Sequence, residues 1–167
     1  MTRRAIVLCL CFLLAGCSLD KPKRIEEEKY KKSVSRLFNA KTIKCFWQKG
    51  IVAEYSGGKI KIKNACFDSD PKKAITVFDS IDIKNNKSRL IGSTGSGDVN
   101  IITTSVSVTF VSLEIVLLGD KVTFITIFPD DLNEDKFLCV MSFHSVMGLG
   151  TNTPVPQQYY GTAEIYE

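Results

Sequence analysis

From Lys41 onward, apolar and polar residues alternate over short stretches, which is the pattern of half-buried β-strands. These stretches are rich in Val, Ile, Thr and Phe, and segments containing Gly, Asn, Asp or Pro separate them. The pattern predicts strands at Ile43–Trp47, Ile51–Tyr55, Lys59–Asn64, Ile75–Ile83, Ser88–Gly92, Val99–Thr104, Val108–Leu118, Lys121–Phe128, Lys136–Ser145 and Gln158–Tyr166, with a loop at Pro154 and Pro156 before the last. Short strands joined by tight turns predict a mainly β fold, as a single antiparallel β-sandwich or a small β-barrel.

The strongest hairpin prediction covers Val108–Phe128. Gly119 and Asp120 match a two-residue hairpin turn. The preceding run Ile115–Leu118 is apolar at every position, so it is expected to be buried on both faces. We therefore expect this hairpin to form the centre of the core.

A helical period precedes the strands. Between Ser18 and Ala40 the chain is charged and lacks glycine, and its apolar residues share one helical face: Tyr30, Val34, Leu37 and Phe38. This spacing predicts a short amphipathic helix whose apolar stripe covers the β domain. The alternative is that the stripe docks a partner or lies on a membrane surface.

The first residues of the chain carry a separate pattern. Two arginines precede the apolar run Ala5–Leu14, and the run ends in the four residues Leu14–Cys17, which read Leu-Ala-Gly-Cys. As a helix, the stretch Ala5–Ala15 would span only about 16 Å, against ~30 Å of membrane hydrocarbon. The arrangement resembles the bacterial lipoprotein signal, in which the cysteine is acylated after small residues.

This resemblance implies three parts and a location. Residues 1–16 would be a removed signal peptide, 17–40 a lipidated tether with the short helix, and 41–167 the β domain. Lipid on Cys17 would make the membrane a partner and would place the protein in the bacterial cell envelope. Ser18 stands where an Asp would imply retention at the inner membrane, so the resemblance implies the periplasmic face of the outer membrane in a Gram-negative host.

Composition argues against nucleic acid as a partner. The chain holds 22 Lys and Arg against 18 Asp and Glu, and removing the two arginines of the signal leaves a net charge near +2. A nucleic-acid surface needs clustered basic residues. About 150 mature residues are enough for a single domain with a substantial core.

Three cysteines remain after the signal and the lipidated residue are set aside: Cys45, Cys66 and Cys139. At most one intramolecular disulfide can form among them in an oxidising compartment. Cys139 alternates with apolar neighbours, which favours a small buried side chain over a bridge. Three scattered thiols and one histidine lack the ligand spacing of a metal site, so neither metal nor cofactor is predicted.

A hairpin turn bears on the remaining pairing. If Gly57–Gly58 close a two-residue turn, Cys66 falls opposite Lys49, about 13 Å along the strand from Cys45. That offset exceeds disulfide reach. A break in the strand at Gly50 could restore the pairing.

Two loops invite a ligand interpretation, and in both the simpler interpretation is favoured. Gly92–Asp98 is glycine-rich, but it lacks the Lys-Ser/Thr ending of a phosphate loop and joins two strands. Asp131, Asn133 and Asp135 have calcium-loop spacing, but the loop lacks the glycine and the bidentate glutamate at its later positions. A turn is predicted in each case.

His144 is the only histidine and would be the base of a hydrolase, with Ser142 or Ser145 as nucleophile. Neither serine lies in a nucleophile-elbow motif. The prediction is that the protein is not an enzyme.

Lys59, Lys61 and Lys63 share one strand face, and Ile60 and Ile62 share the other. This pattern predicts the solvated face of an edge strand, where charges oppose aggregation. A row that binds anionic lipid or glycan is the alternative.

The candidate binding surface consists of four aromatic residues: Trp47, Tyr55, Tyr159 and Tyr160. The favoured function is a non-enzymatic envelope lipoprotein that binds a protein or glycan, as an inhibitor or assembly accessory. A lipocalin-like carrier of an apolar ligand is the alternative, and a hydrolase is third. The mature domain resembles exported bacterial proteins in the order of five segments, CFW, SID, RLIGSTGSGDV, SFH and QQYYGT, and this resemblance implies no activity. The architecture is similar, at the level of class, to lipid-anchored β-barrels such as the membrane-bound inhibitors of c-type lysozyme.

Overall fold

The computed structural model describes residues 25–56, 59–66, 74–92, 95–116, 119–147 and 153–167. The apolar leader, the lipobox with Cys17 and the predicted tether up to residue 24 lie outside the described residues.

One helix and nine strands follow each other along the described chain. They are α1 (Glu27–Asn39), β1 (Thr42–Ser56), β2 (Lys59–Cys66), β3 (Ile75–Asp82), β4 (Lys87–Gly92), β5 (Gly95–Thr103), β6 (Val108–Val116), β7 (Gly119–Asp130), β8 (Asn133–Met147) and β9 (Thr153–Tyr166).

The strands form a closed antiparallel β-barrel. From β3 to β9 each strand pairs with the next, and β1 completes the ring by pairing with both β3 and β9. The ring therefore has eight strands, and β2 pairs only with the second half of β1, outside the ring. The mainly β prediction with a preceding short helix is confirmed, and of its two alternatives the structure has the barrel.

Strand β1 differs from its prediction as two strands. It runs without a break for 15 residues, but its register against β9 shifts between Trp47 and Lys49. Such a bulge adds one residue to a strand and bends it without ending it. Gln48 and Lys49, the polar residues that suggested a strand end, lie at this bulge.

One predicted turn is displaced. Gly119 pairs with Val116 and Asp120 pairs with Ile115, so both residues of the predicted turn belong to strand β7. A shift of two residues leaves every side chain on its original face, so alternation does not detect it. The side chains of residues 115–120, including the apolar run expected to be doubly buried, lie outside the described ones.

The loop predicted at Pro154 and Pro156 is part of β9. Both prolines pair with β8, whereas the pairing of β9 with β1 begins only at Gln157. Before that point β9 has a strand on one side only, and proline is tolerated there because its missing N–H can face the unpaired side.

The core occupies the inside of the barrel. Its largest fully buried side chains come from six different elements, and Phe78 stacks on Phe110 with 3.8 Å between ring centroids. Val108 and Ile127 from the β6–β7 hairpin are fully buried beside them. The hairpin thus contributes to the core with its inner face, while Leu113 on its outer face is 62% exposed.

Helix α1 packs against the end of the barrel where the β7–β8 turn lies. Leu37 is fully buried, Phe38 packs against the core, and the Ser33 hydroxyl donates a 2.6 Å hydrogen bond to the Glu134 carbonyl. The predicted apolar stripe therefore covers the barrel's own core. At the start of the described chain, the Ile25 N–H donates to the Asp131 carbonyl at 3.0 Å.

Candidate binding site at the open end of the barrel

The two ends of the barrel are built differently. We call the end beside α1 the closed end; the β3–β4, β5–β6 and β7–β8 turns lie there. The opposite end, where the other hairpins turn, is the open end. Inward side chains near the closed end are apolar and buried, whereas further along the same strands they become polar, aromatic and partly exposed.

Phe143 and Tyr159 form the aromatic part of the open end. Both continue the inward alternation of the core, in β8 after Cys139 and in β9 before Ala163. Their rings are nearly parallel, with 6.0 Å between centroids. Each is partly exposed, so an aromatic surface remains accessible at this end.

A charged pair adjoins this aromatic surface. Lys121 is paired across the hairpin with Glu114, and its ammonium lies 3.6 Å from the Glu114 carboxylate. The same ammonium lies 5.3 Å from the centroid of the Phe143 ring, which is cation–π distance. About half of the Glu114 side chain is exposed, so this pair is available to a ligand at modest desolvation cost.

Tyr159 is held in place by its surroundings. Its hydroxyl donates a 2.8 Å hydrogen bond to Gln157 Oε1, and burial of the ring raises the pKa of the phenol. Gly50 lies directly opposite in β1, and a Cβ atom there would overlap the tyrosine ring. The glycine therefore makes room for the ring. Because its pKa is raised, the Tyr159 phenol stays protonated at neutral pH and can donate a hydrogen bond.

The four aromatic residues predicted from the sequence do not share one surface. Trp47 is 5% exposed within the core, where its indole N–H donates to the Thr76 hydroxyl at 2.9 Å. Tyr159 faces inward and Tyr160, its neighbour in the strand, faces outward at 45% exposure. Tyr55 lies near the end of β1, and its side chain is outside the described ones.

The open end adds residues that the aromatic prediction missed. Phe143 could have been found from its alternation with Cys139, because both share a face of β8. Glu114 and Lys121 carry opposite charges on the two strands of a hairpin. The predicted turn lay two residues too far along the chain, so these two residues were not paired in the prediction. Nothing in the sequence indicates why position 50 is a glycine, because the Tyr159 ring that lies over it is seen only when β1 is paired with β9.

Two of the three hydrolase candidates, His144 and Ser142, lie on the outside of the barrel. His144 is exposed and pairs with Val122, and the hydroxyl of Ser142, on the same outer face, accepts from Gln158 Nε2 at 3.4 Å. The side chain of Ser145 is outside the described ones. The structure brings no described acid or base to this face beside His144.

The two loops considered for ligands form hairpins. Gly92 pairs with Gly95, and residues from Gly95 to Asp98 belong to β5, so most of this predicted loop is strand. In the β7–β8 turn, the Asp135 N–H donates to the Asn133 side chain, and its carboxylate accepts from Arg36 of α1. Across the described ranges, no group of three or more His, Cys, Asp or Glu side chains could hold a metal ion.

Cys45 and Cys139 are both buried with free thiols. A hydrogen bond with Cys139, together with burial, holds the pKa of Cys45 well above its usual range. Cys66 pairs with Lys49, as the hairpin prediction required, and its side chain is outside the described ones.

No family model, curated protein or solved structure matches this chain. Among the helices that the structure describes, none is long and apolar enough to cross a membrane.

Proposed function

We propose that this protein is a lipid-anchored, non-enzymatic component of the bacterial cell envelope, whose barrel binds an envelope glycan or protein at its open end. The proposed anchor is Cys17 of the lipobox, and Ser18 favours the periplasmic face of the outer membrane if the host is Gram-negative. Ile25, eight residues after Cys17 in the sequence, donates its N–H to the Asp131 carbonyl at the closed end. This arrangement favours an open end directed away from the bilayer and towards other envelope components.

One observation carries the binding proposal: the partly exposed Phe143–Tyr159 pair beside Lys121 and Gln157 inside the open end. Rigid aromatic rings provide apolar contact at low entropic cost, and the flanking amide and charges provide orienting hydrogen bonds. A sugar ring or a peptide side chain fits this combination. Such binding suits an inhibitor or an assembly accessory.

The experiment is a binding assay on the mature protein with two probes, cell-wall glycan fragments and detergent-solubilised envelope proteins. Tyr159→Ala is compared with Tyr160→Ala, because these adjacent tyrosines face opposite sides of β9. We expect saturable binding of one probe that weakens in Tyr159→Ala and persists in Tyr160→Ala and Tyr159→Phe. Equal binding by both alanine variants, with folding verified by circular dichroism, would remove the open end as the site.

The anchor has its own test. A Cys17→Ser variant should lose incorporation of labelled fatty acid and should leave the membrane fraction. Unchanged acylation and fractionation would reject the lipoprotein proposal and leave the binding proposal intact.

A carrier of a small apolar ligand is the second candidate. A β-barrel fold is compatible with a lipocalin-like binding domain, and Met141 and Leu90 are partly buried apolar side chains against the core. Stacked Phe78 and Phe110 occupy the interior near the closed end, so this ligand would be confined to the other half. Native mass spectrometry should then detect co-purifying lipid, and a ligand-free mass from freshly purified protein would reject the carrier.

A further inference from the structure

The barrel wall is incompletely paired between β5 and β6. These strands pair only where Asn100–Thr103 meet Val108–Val111, near the closed end. Beyond that point β5 continues to pair with β4 as far as Gly95, and β6 continues to pair with β7 as far as Val116. The facing edges of β5 and β6 therefore have no strand partner among the described residues, and we call this region the seam (95–99 and 112–116).

A cavity of about 320 Å³ lies along the seam. Three residues of β5 line one side and three of β6 line the other: Ser96, Gly97 and Asp98, and Ser112, Leu113 and Glu114. The cavity thus lies between two open strand edges, whose backbone N–H and C=O groups are free to pair with an added strand.

Gly97 points to what approaches the seam. A Cβ atom at this position would meet no atom within 4 Å, so packing inside the barrel does not require a glycine. Glycine within a strand often marks a bulge or the close approach of another backbone or ligand. The β4–β5 register runs without a shift past Gly97, so no bulge accounts for it.

The charged side chains that line the cavity are both acidic. Glu114 has Lys121 at 3.6 Å, but half of its side chain is exposed. Asp98 is exposed, and its charge interacts with that of Arg89, its partner across the β4–β5 pair. Arg89 is also engaged by Asp79 through two hydrogen bonds, so the one cation is shared by two carboxylates and a net negative charge remains. The seam therefore favours basic groups in whatever occupies it.

We propose that the seam accepts an extended segment of a partner protein, which adds as a β-strand to the open edge and alternates basic with apolar side chains. A basic side chain directed inward would lie beside Glu114 and use the space above Gly97. An apolar side chain directed outward would contact Leu113, which is 62% exposed in the isolated chain. Backbone pairing supplies the affinity, and the alternation supplies the specificity.

The test uses two labelled peptides of equal length, one alternating valine with lysine and one alternating valine with glutamate. Fluorescence anisotropy with the mature protein should show saturable binding of the lysine peptide only. Gly97→Val should abolish it by occupying the space above the strand, and Glu114→Gln should weaken it several-fold. Glu54→Gln is the matched control, because Glu54 forms the same kind of cross-strand pair, with Lys63 at 2.7 Å, on the β1–β2 hairpin.

Further outcomes separate the alternatives. A lysine peptide with N-methyl groups on alternate residues should fail to bind, and its undiminished binding would overturn strand addition. Equal affinity for the glutamate peptide would overturn the basic class of partner, and equal binding by Gly97→Val would overturn the seam. Concentration-dependent self-association of the protein that disappears in Gly97→Val would identify the occupant as a second copy instead. Tyr159→Ala should bind the lysine peptide normally, so this proposal can fail or succeed independently of the proposed function.

Discussion

Near the closed end, inward side chains are large, apolar and fully buried, whereas towards the open end the same strands direct charged, amide and partly exposed aromatic groups inward. Strand pairing also differs: it is continuous around the closed end but is interrupted between β5 and β6 towards the open end. One end thus contributes most of the apolar burial that stabilises the fold, and the other retains groups that burial would normally exclude. The residues that stabilise the fold and the residues of the proposed binding site are therefore separated along the barrel axis.

The largest expected effect tests the stabilising role of the closed end. Phe110→Ala removes a fully buried ring that stacks on Phe78, and large-to-small changes of this kind cost about 3–5 kcal/mol. We expect that loss in the free energy of unfolding, measured with urea. Leu113→Ala, in the same strand on the exposed outer face, should change it by no more than about 0.5 kcal/mol. Similar losses of stability in both variants would contradict the conclusion that inward side chains near the closed end contribute most of the stabilising burial.

A second prediction asks whether the open end is shaped around Tyr159. Gly50→Ala places a methyl group against both the tyrosine ring and the Gln158 carbonyl, so the ring and the backbone of β9 have to shift, at a cost of roughly 1–3 kcal/mol. The expected readouts are a lower urea midpoint and a changed tyrosine fluorescence. Gly97→Ala is the control, because its methyl group meets open space. A neutral Gly50→Ala would show that the ring is not held by this contact.

The third prediction concerns how the helix closes its end. Ser33→Ala removes the 2.6 Å hydrogen bond to the Glu134 carbonyl, and the loss of such a bond costs about 1 kcal/mol. Amide hydrogen exchange should become faster in α1 and remain unchanged in β6 and β7. Ser35→Ala, on the exposed side of the same helix, is the control. Faster exchange throughout the barrel would mean that α1 and the strands unfold together.

The smallest expected effect comes from the ion pair between Arg89 and Asp79 on the outer surface of the barrel. Arg89 holds the pKa of Asp79 below its usual range, mainly through hydrogen bonds. A carboxylate with a lowered pKa stabilises the folded state above its unfolded pKa of about 3.9, and this contribution is lost as pH falls through the lowered value. The melting temperatures of wild type and Arg89→Met should therefore differ slightly at pH 6 and converge at strongly acidic pH. A difference that grows on acidification would reverse the assigned sign.

Alternation along the chain was sufficient to place most strands, because one face of each is buried, but it divided β1 at its bulge and missed the proline-containing start of β9. It could not decide between a sandwich and a barrel, since closure depends on pairing between β1 and β9, at opposite ends of the domain. Neighbouring residues in a strand face opposite sides, and grouping Tyr159 with Tyr160 in one candidate surface did not take this into account. Which of the two faces inward depends on the register around the Trp47–Lys49 bulge. No sequence pattern predicts the seam, because it is defined only by the missing pairing between β5 and β6 among the described residues.

The β1–β9 pairing also has a consequence for when the domain can form. Strand β1 pairs with β9 from Gln157 to Tyr166, so the ring cannot close until β9 has left the ribosome. Until then, an incomplete chain presents the unpaired margins of both β1 and β8, which invite aggregation. A truncation that removes β9 is therefore expected to abolish folding, and in a protein exported as proposed, barrel closure would have to wait until β9 has crossed the membrane.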